Sequence, residues 1–315
     1  MNKDNYQYHL IVNPKAASGG GRSRLVRAVE ILNAHHADYK VHIPASSEKM
    51  QALTASLTEK GRKSHLIVFG GDGTLNTVFQ AVKDMEHTRF SCIRMGSGNA
   101  FAANMGLPSS VDQAMTHLLE DPEEILLDYG ELWARKDPAD PGIRRRFLIS
   151  CGIGYDADIC EEVSRSSLKK TLNFFGLGKL VYMAIGIKQM FTREFTPAVI
   201  RLDDRAVYRL RGMNFCVGMM HPREGGGVPF CPEAVPTDGL MDVCMADAMS
   251  SLKMLAGLPM IYLGLHHLVP ELKLLRGSRI RITTKRPQWY HMDGETSVKI
   301  RRLELYACSG LHFVR

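Results

Sequence analysis

The segment Gly70-Gly71-Asp72-Gly73-Thr74-Leu75-Asn76 carries the residues best suited to chemistry in this chain. It follows an apolar run, residues 65–69, that reads as a buried strand, and it precedes residues 75–83, which can be helical. A strand, a Gly-rich turn and a helix start aim main-chain N–H groups and the positive end of a helix dipole at one point, which suits a phosphate. Gly70, Gly71 and Gly73 remove side chains from the anion's approach, and Asp72 is compatible with phosphate if it reaches a Mg²⁺ that the phosphates share. A Gly-rich turn is more often only a tight turn. No Gly-Lys-Ser/Thr follows it, and Asn76 stands where a dinucleotide fingerprint has its third Gly. Two further turns have related composition: Asn13-Pro14-Lys15 with Gly19, Gly20 and Gly21, and Gly96-Ser97-Gly98-Asn99. Late in the chain stand Asp238-Gly239 and Asp293-Gly294-Glu295. Asp-Gly is a favoured hairpin pair, so each reads first as a turn between strands.

The elements that must position these turns alternate. Strands are expected at residues 8–12, 39–43, 65–69 and 91–95, with helices at 22–35, 48–61, 75–83, 100–105 and 111–120. This alternation predicts right-handed βαβ units and a parallel sheet, with ligands outside the carboxyl ends of the strands. The three turns then fall on that one edge, which says more than any one of them. From about residue 125 the pattern changes to strands: 125–133, 145–151, 198–202, 206–219, 240–245, 272–275, 278–284 and 303–308. Helical insertions are expected at 164–192 and 249–267. The prediction is an α/β domain over residues 1–125 and a mostly antiparallel β domain over 126–315, with the last strand packing back on the first domain.

The chain has 315 residues, 45% of them hydrophobic, a formal net charge of +7 and pI of about 9.0. The charge favours anionic partners or merely aids solubility. Aromatic residues do not interleave with the basic ones, so nucleic acid is not an expected partner. Seven scattered cysteines without a Cys-x-x-Cys pair read as reduced core residues rather than a disulfide or zinc framework. Residues 1–8 are polar and do not read as a signal peptide, and the longest uncharged run, 254–270, is too short to cross a membrane. A cytoplasmic protein is the expectation. The apolar residues Leu180, Val181, Met183, Ala184, Ile187 and Met190 read first as a core stripe. Lys169, Lys170, Lys179 and Lys188 beside them allow a helix resting on an anionic membrane. His266 and His267 read as structural, and Arg144-Arg145-Arg146 as a solvated loop or strand start.

Four separated groups together resemble the soluble diacylglycerol kinase and sphingosine kinase superfamily of lipid kinases, in its order and over nearly the whole chain. They are Asn13-Pro14-Lys15, Gly70 to Asn76, Gly96-Ser97-Gly98-Asn99-Ala100-Phe101-Ala102, and a set in the second domain. That set is Gly152-Ile153-Gly154-Tyr155-Asp156-Ala157, Pro232-Glu233-Ala234, Asp238-Gly239-Leu240-Met241-Asp242 and Asp293-Gly294-Glu295. The Gly-Gly-Asp-Gly-Thr element is shared with NAD kinases and phosphofructokinases; the Asp-Gly-Leu and Asp-Gly-Glu segments point to lipid kinases. The resemblance implies a phosphofructokinase- and NAD-kinase-like first domain, a β-sandwich second domain and an active site in the cleft between them. It implies ATP on Asn13, Gly71, Asp72, Gly73, Thr74, Asn76, Ser97 and Asn99, and transfer of the γ-phosphoryl to a lipid hydroxyl in phospholipid synthesis. It implies Asp293 as general base with Glu295 in the same site, and Mg²⁺ both near Asp72 and at Asp238 with the carbonyls of Val235 and Leu240. The lipid substrate would be met at an anionic membrane surface by peripheral association, with a homodimer as a compatible assembly.

The chain departs from the family pattern. Ser97 stands for a common Thr, Ala100 for a frequent Asp, and Thr237 for the first of two frequent Asp residues, while residues 218–223 lack the usual Asn-Gly. Cys160 stands near where sphingosine kinases carry an amine-binding acid, which favours a neutral lipid such as diacylglycerol. A NAD kinase and a catalytically silent nucleotide- or membrane-binding protein are the competing readings.

Overall fold

Tyr8, Leu10, Ile11 and Val12 make β1 (Gln7–Val12) apolar on both faces, as a strand covered by helices on two sides must be. The same holds for β3 (Ser64–Gly70), which is buried along its whole length. A computed structural model of the chain describes residues 6–14, 21–96, 99–166, 178–193, 195–265 and 268–315. It divides into two units, Met1–Leu127 with Ser309–Arg315, and Asp128–Cys308.

In the first unit β1 pairs in parallel with β2 (Tyr39–His42) and β3, and β3 pairs in parallel with β4 (Thr88–Arg94). His312 and Phe313 add a further parallel pairing on Arg89 and Phe90 of β4. The helices are α1 (Gly21–Ala34), α2 (Ser47–Leu57), α3 (Asp72–Gln80), α4 (Ala100–Asn104) and α5 (Val111–Glu120). Ser46 caps α2 by accepting the Lys49 N–H. Leu10, Leu32, Ile67, Phe69, Met115 and Val314 are among the residues of one buried cluster. Each such side chain contributes about 1.5–3 kcal/mol by leaving water. The boundary at residue 127 lies two residues beyond the one the sequence pattern suggests, inside β5 (Glu124–Arg135).

The second unit is antiparallel throughout its described pairings. Its strands are β6 (Ile143–Phe147), β7 (Ser150–Gly154), β8 (Thr196–Leu202), β9 (Ala206–Met219), β10 (Met241–Asp247), β11 (Leu272–Gly277), β12 (Arg279–Met292) and β13 (Glu295–Val314), which continues into the first unit. The ladder runs β11-β10-β9-β7-β12-β13; β8 pairs with β9 and β12, and β5 with β6. Its helices are α6 (Tyr155–Arg165), α7 (Gly178–Thr192) and α8 (Ser251–Tyr262). The expected strand 145–151 is two strands. Leu148 and Ile149 leave the ladder between them because their N–H groups turn to the Asp293 carboxylate. The expected strands 278–284 and 303–308 are the far ends of one long hairpin, β12 and β13, folded at Asp293-Gly294. All seven cysteines are free thiols, Cys151, Cys216, Cys231 and Cys244 among the buried. Among the described residues no helix is long and apolar enough to cross a membrane.

Candidate active site

Three turns of the first unit meet through main chain and small side chains. Asn13 follows β1 and donates from Nδ2 to Thr74 Oγ1 at 2.8 Å, while its N–H bonds the Phe69 carbonyl at 3.1 Å. Gly71 caps α3 and lies against Gly96: a Cβ on Gly96 would sit 2.6 Å from the Gly71 Cα, and one on Gly71 3.0 Å from the Gly96 Cα. Only glycines let these turns approach so closely. Gly73 lies in the first turn of α3, where its carbonyl accepts from Thr77 Oγ1 at 2.8 Å. Asn76, nearly buried, accepts from Gln80 Nε2 at 3.2 Å. Asn99 adopts the left-handed conformation (φ 46°, ψ 41°), and its Oδ1 accepts the Gly96 N–H at 3.0 Å. Ser97 and Gly98, and residues 15–20 of the first turn, lie outside the described residues. So do His266, His267, Lys169 and Lys170.

Asp72 has a role that sequence reasoning missed. Its Oδ2 accepts the Ala100 N–H at 2.8 Å and its Oδ1 the Phe101 N–H at 3.0 Å, so one carboxylate ties the start of α3 to the start of α4. Each carboxylate oxygen can accept about two bonds, so a cation at Asp72 shares oxygens that already hold a helix start. Residue 100, alanine here, contributes its main-chain N–H and no second carboxylate.

In the second unit Asp293 (φ 48°) and Gly294 (φ 82°) form the tip of the β12–β13 hairpin, the pair of positive φ angles that a two-residue turn requires. The turn is also a fixed carboxylate. Oδ1 accepts the N–H groups of Ile149 at 2.8 Å and Ser150 at 3.1 Å, and Oδ2 that of Leu148 at 3.0 Å. Glu295 begins β13 opposite Met292 and is exposed.

Behind this turn lies a buried charged cluster that the sequence did not announce. His291, wholly buried, places Nε2 2.8 Å from Asp156 Oδ2 and 3.4 Å from Glu224 Oε1. Ser150 Oγ donates to Glu224 Oε1, and the Ser150 N–H reaches Asp293, so the cluster joins the turn through one residue. Burial works against the His291 imidazolium, but the neighbouring Glu224 and Asp156 carboxylates outweigh it and carry its pKa up to about 9. Burial pushes the Glu224 carboxyl above its ordinary range. Gly152 makes room: a Cβ there would lie 1.9 Å from Asp156 Oδ2 and 2.5 Å from His291 Nε2. The signal available beforehand was Asp156, just after Gly152 and Gly154, and a histidine two residues before Asp293.

Asp238 sits in a different turn, ahead of β10. Its Oδ1 accepts the Leu240 N–H at 3.0 Å, and its Oδ2 lies 3.8 Å from Arg276 Nη1. Arg276 also grips Asp242 at 3.1–3.2 Å and donates to the Glu233 carbonyl at 2.8 Å. Asp128, buried, accepts the Gly239 N–H at 2.6 Å. The donor set is oxygen only, the kind Mg²⁺ takes, though Arg276 already places a cation beside it. Among the described residues, the one set of three acidic or histidine side chains at ligand spacing is Asp84, Glu86 and His87, away from Asp72 and Asp238 in sequence.

The fold and these turns have relatives. Residues 7–128 match the diacylglycerol kinase catalytic domain, and residues 150–303 match the YegS C-terminal NAD kinase beta sandwich-like domain. A Bacillus subtilis protein named as a lipid kinase, YtlR, is 24% identical over 293 residues, 91% of this chain and 93% of its own length. A diacylglycerol kinase of Mycobacterium tuberculosis is 23% identical over 274 residues, 86% of this chain and 83% of its own. The crystal structure of a diacylglycerol kinase from Bacillus anthracis superposes with a TM-score of 0.69 at 18% identity, covering 98% of this chain and 95% of that one. Yeast NADH kinase complexed with NADH gives 0.52 at 10%, covering 99% and 83%. With both halves matched in order, the chain belongs to the family of diacylglycerol kinase and YegS-like lipid kinases.

Proposed function

We propose that the protein transfers the γ-phosphoryl group of ATP to a lipid hydroxyl, most simply that of diacylglycerol, giving phosphatidic acid. The observation that carries this reading is the Asp293 carboxylate, held at a hairpin tip by three main-chain N–H donors. Phosphoryl transfer needs positioning and charge neutralisation more than covalent chemistry. The turns at Asn13, Gly71 to Asn76 and Gly96 to Asn99 hold the phosphates by main chain. Asp293 orients the acceptor hydroxyl and takes its proton late, which a carboxylate can do when the transition state is loose. Glu295, exposed two residues on, adds negative charge that keeps the hydroxyl turned to Asp293. Mg²⁺, when bound, supplies the positive charge that offsets the transferring oxygens; Asp72 would hold it at the nucleotide, and Asp238 with the Val235 and Leu240 carbonyls would hold a structural ion.

A lipid needs an apolar landing. Met183, Ile187 and Phe191 recur at four-residue spacing on α7, and Leu252, Leu255, Tyr262 and Leu263 are exposed on and just after α8. Lys188 stands among the first set, its ammonium paired with Glu162. This supports peripheral binding to an anionic membrane.

The experiment is label transfer from ATP into a panel of lipids in mixed micelles, run beside NAD. Label in a lipid and none in NADP is the expected result; label in NADP alone, or ATP turnover in neither, overturns the reading. Asp293→Asn should lose roughly 10²–10⁴-fold in kcat while ATP affinity holds. An unchanged kcat removes Asp293 from the chemistry.

A further inference from the structure

The outer face of the second unit's sheet gathers arginines in register. On β12, Arg281 lies directly opposite Arg201 of β8 and Glu304 of β13. One row away, Thr283 lies opposite Val199 of β8 and Arg302 of β13, and Val199 lies opposite Arg209 of β9. These residues and Arg135 line a cavity of about 560 Å³. Five arginines and one carboxylate line it, and a second carboxylate, Asp204, reaches Arg281 at 3.5 Å from outside the lining. Glu304 is committed: Arg135 holds it at 2.9 Å, Arg281 at 3.3 Å and Arg279, from outside the cavity, at 3.1 Å. The side chains of Arg201, Arg209 and Arg302 make no hydrogen bond or ion pair with any described residue.

Like charges directly opposite on neighbouring strands destabilise a sheet. A surface that needed only solubility would alternate signs across the ladder, and here the sign repeats. The arrangement becomes favourable when an anion fills it. Arginine offers a flat fork that matches phosphate oxygens two at a time, and the cavity is far wider than one phosphate needs. We propose that this cavity is a binding site for a small ligand bearing two or more phosphate groups, separate from the phosphoryl-transfer site. Nine residues, 284–292, lie between Thr283 and Asp293, and the paired stretch of β13, from Arg302 to Glu295, spans roughly 23 Å of strand. The ligand is thus an effector or an anchor, not the acceptor. Its phosphates come either from a soluble compound or from a lipid headgroup, which present the same oxygens.

The test is isothermal titration of the whole protein with inorganic pyrophosphate, wild type against an Arg201→Ala/Arg209→Ala/Arg302→Ala variant. Among the described residues the three side chains hold no hydrogen bond or ion pair, and circular dichroism checks that the fold is kept. The wild type should show one more binding event than the variant, weakened at least tenfold by raising salt from low to physiological, and Asp293→Asn should retain it. A matching Arg→Lys triple should recover only part of the affinity, because it keeps charge without the fork. Vesicles of phosphatidylcholine carrying a doubly phosphorylated lipid separate the sources. Retention that the alanine variant loses assigns a headgroup, and pyrophosphate binding with no vesicle retention assigns a soluble ligand; either supports the site. Equal pyrophosphate stoichiometry and affinity in the wild type and the alanine variant, together with equal vesicle retention, overturns it. The panel assay for lipid phosphorylation stands or falls independently of this result.

Discussion

The two candidate halves of the chemistry are made of different materials. The turns around Gly71 and Gly96 use main chain, an amide pair and a threonine hydroxyl, with one carboxylate turned inward to cap a helix. The surroundings of Asp293 use ionisable side chains, His291 between Asp156 and Glu224, withdrawn from water. The first region depends on the absence of side-chain atoms. The second depends on charges that must balance in a dry interior, and it senses pH. Steric and electrostatic perturbations should therefore separate them.

The largest effect is expected at His291. His291→Asn leaves two buried carboxylates without their cation and should lower stability by about 3–5 kcal/mol, read by urea unfolding of the whole chain. The pH dependence sharpens the contrast. The folded pKa of His291 lies at about 9, above its ordinary 6.5, so its contribution is complete below pH 6.5 and is lost as pH rises through 9. Over that window the wild type should lose on the order of 3 kcal/mol, and His291→Asn should lose much less, keeping only the slope near pH 9 that the buried thiols, raised by burial, contribute. Glu224, raised by burial, acts in the same sense but begins its loss near its ordinary 4.5, outside that window's lower edge. A slope left unchanged by His291→Asn between pH 6.5 and 8 would break the assignment.

Next in size is Gly96→Ala. The added Cβ meets Gly71 main chain at 2.6 Å, which no rotamer relieves. Overpacking of this kind costs about 1–3 kcal/mol, and a fluorescent ATP analogue should report it as weaker binding with an unchanged pH–stability profile. Loss of that profile would show that the two regions are not independent. The smallest effect belongs to Asn13→Ala, which removes one hydrogen bond to Thr74 and should cost about 1 kcal/mol in nucleotide affinity.

What the sequence allowed to be read follows the same division. Turns made of glycine with Asn, Asp and Thr are local, and their chemistry is written in adjacent residues; Asn13, Gly71 and Asn99 could be placed on one sheet edge from strand–helix alternation alone. The partners of Asp293 come from residues 148–150, and the charges behind it from 156, 224 and 291, spacings with no local period. The same non-locality broke the expected strand at 148–149 and hid the length of the final hairpin, where bulges after Thr283 and Trp289 interrupt the alternation of faces. The inward turn of Asp72 was hidden for a related reason: its two donors lie some way along the chain, across a turn whose own pattern suggested only an anion site.

The first unit is discontinuous in the chain. Leu311, Phe313 and Val314 are buried in it, and the Val314 carbonyl accepts from Ser91 Oγ at 2.6 Å. During synthesis the first unit therefore stays unfinished until residues 309–315 have left the ribosome, long after its other strands have emerged. Cleavage after residue 308 would leave the turns at Asn13, Gly71 and Gly96 in the chain and still strip a wall from the core beneath them.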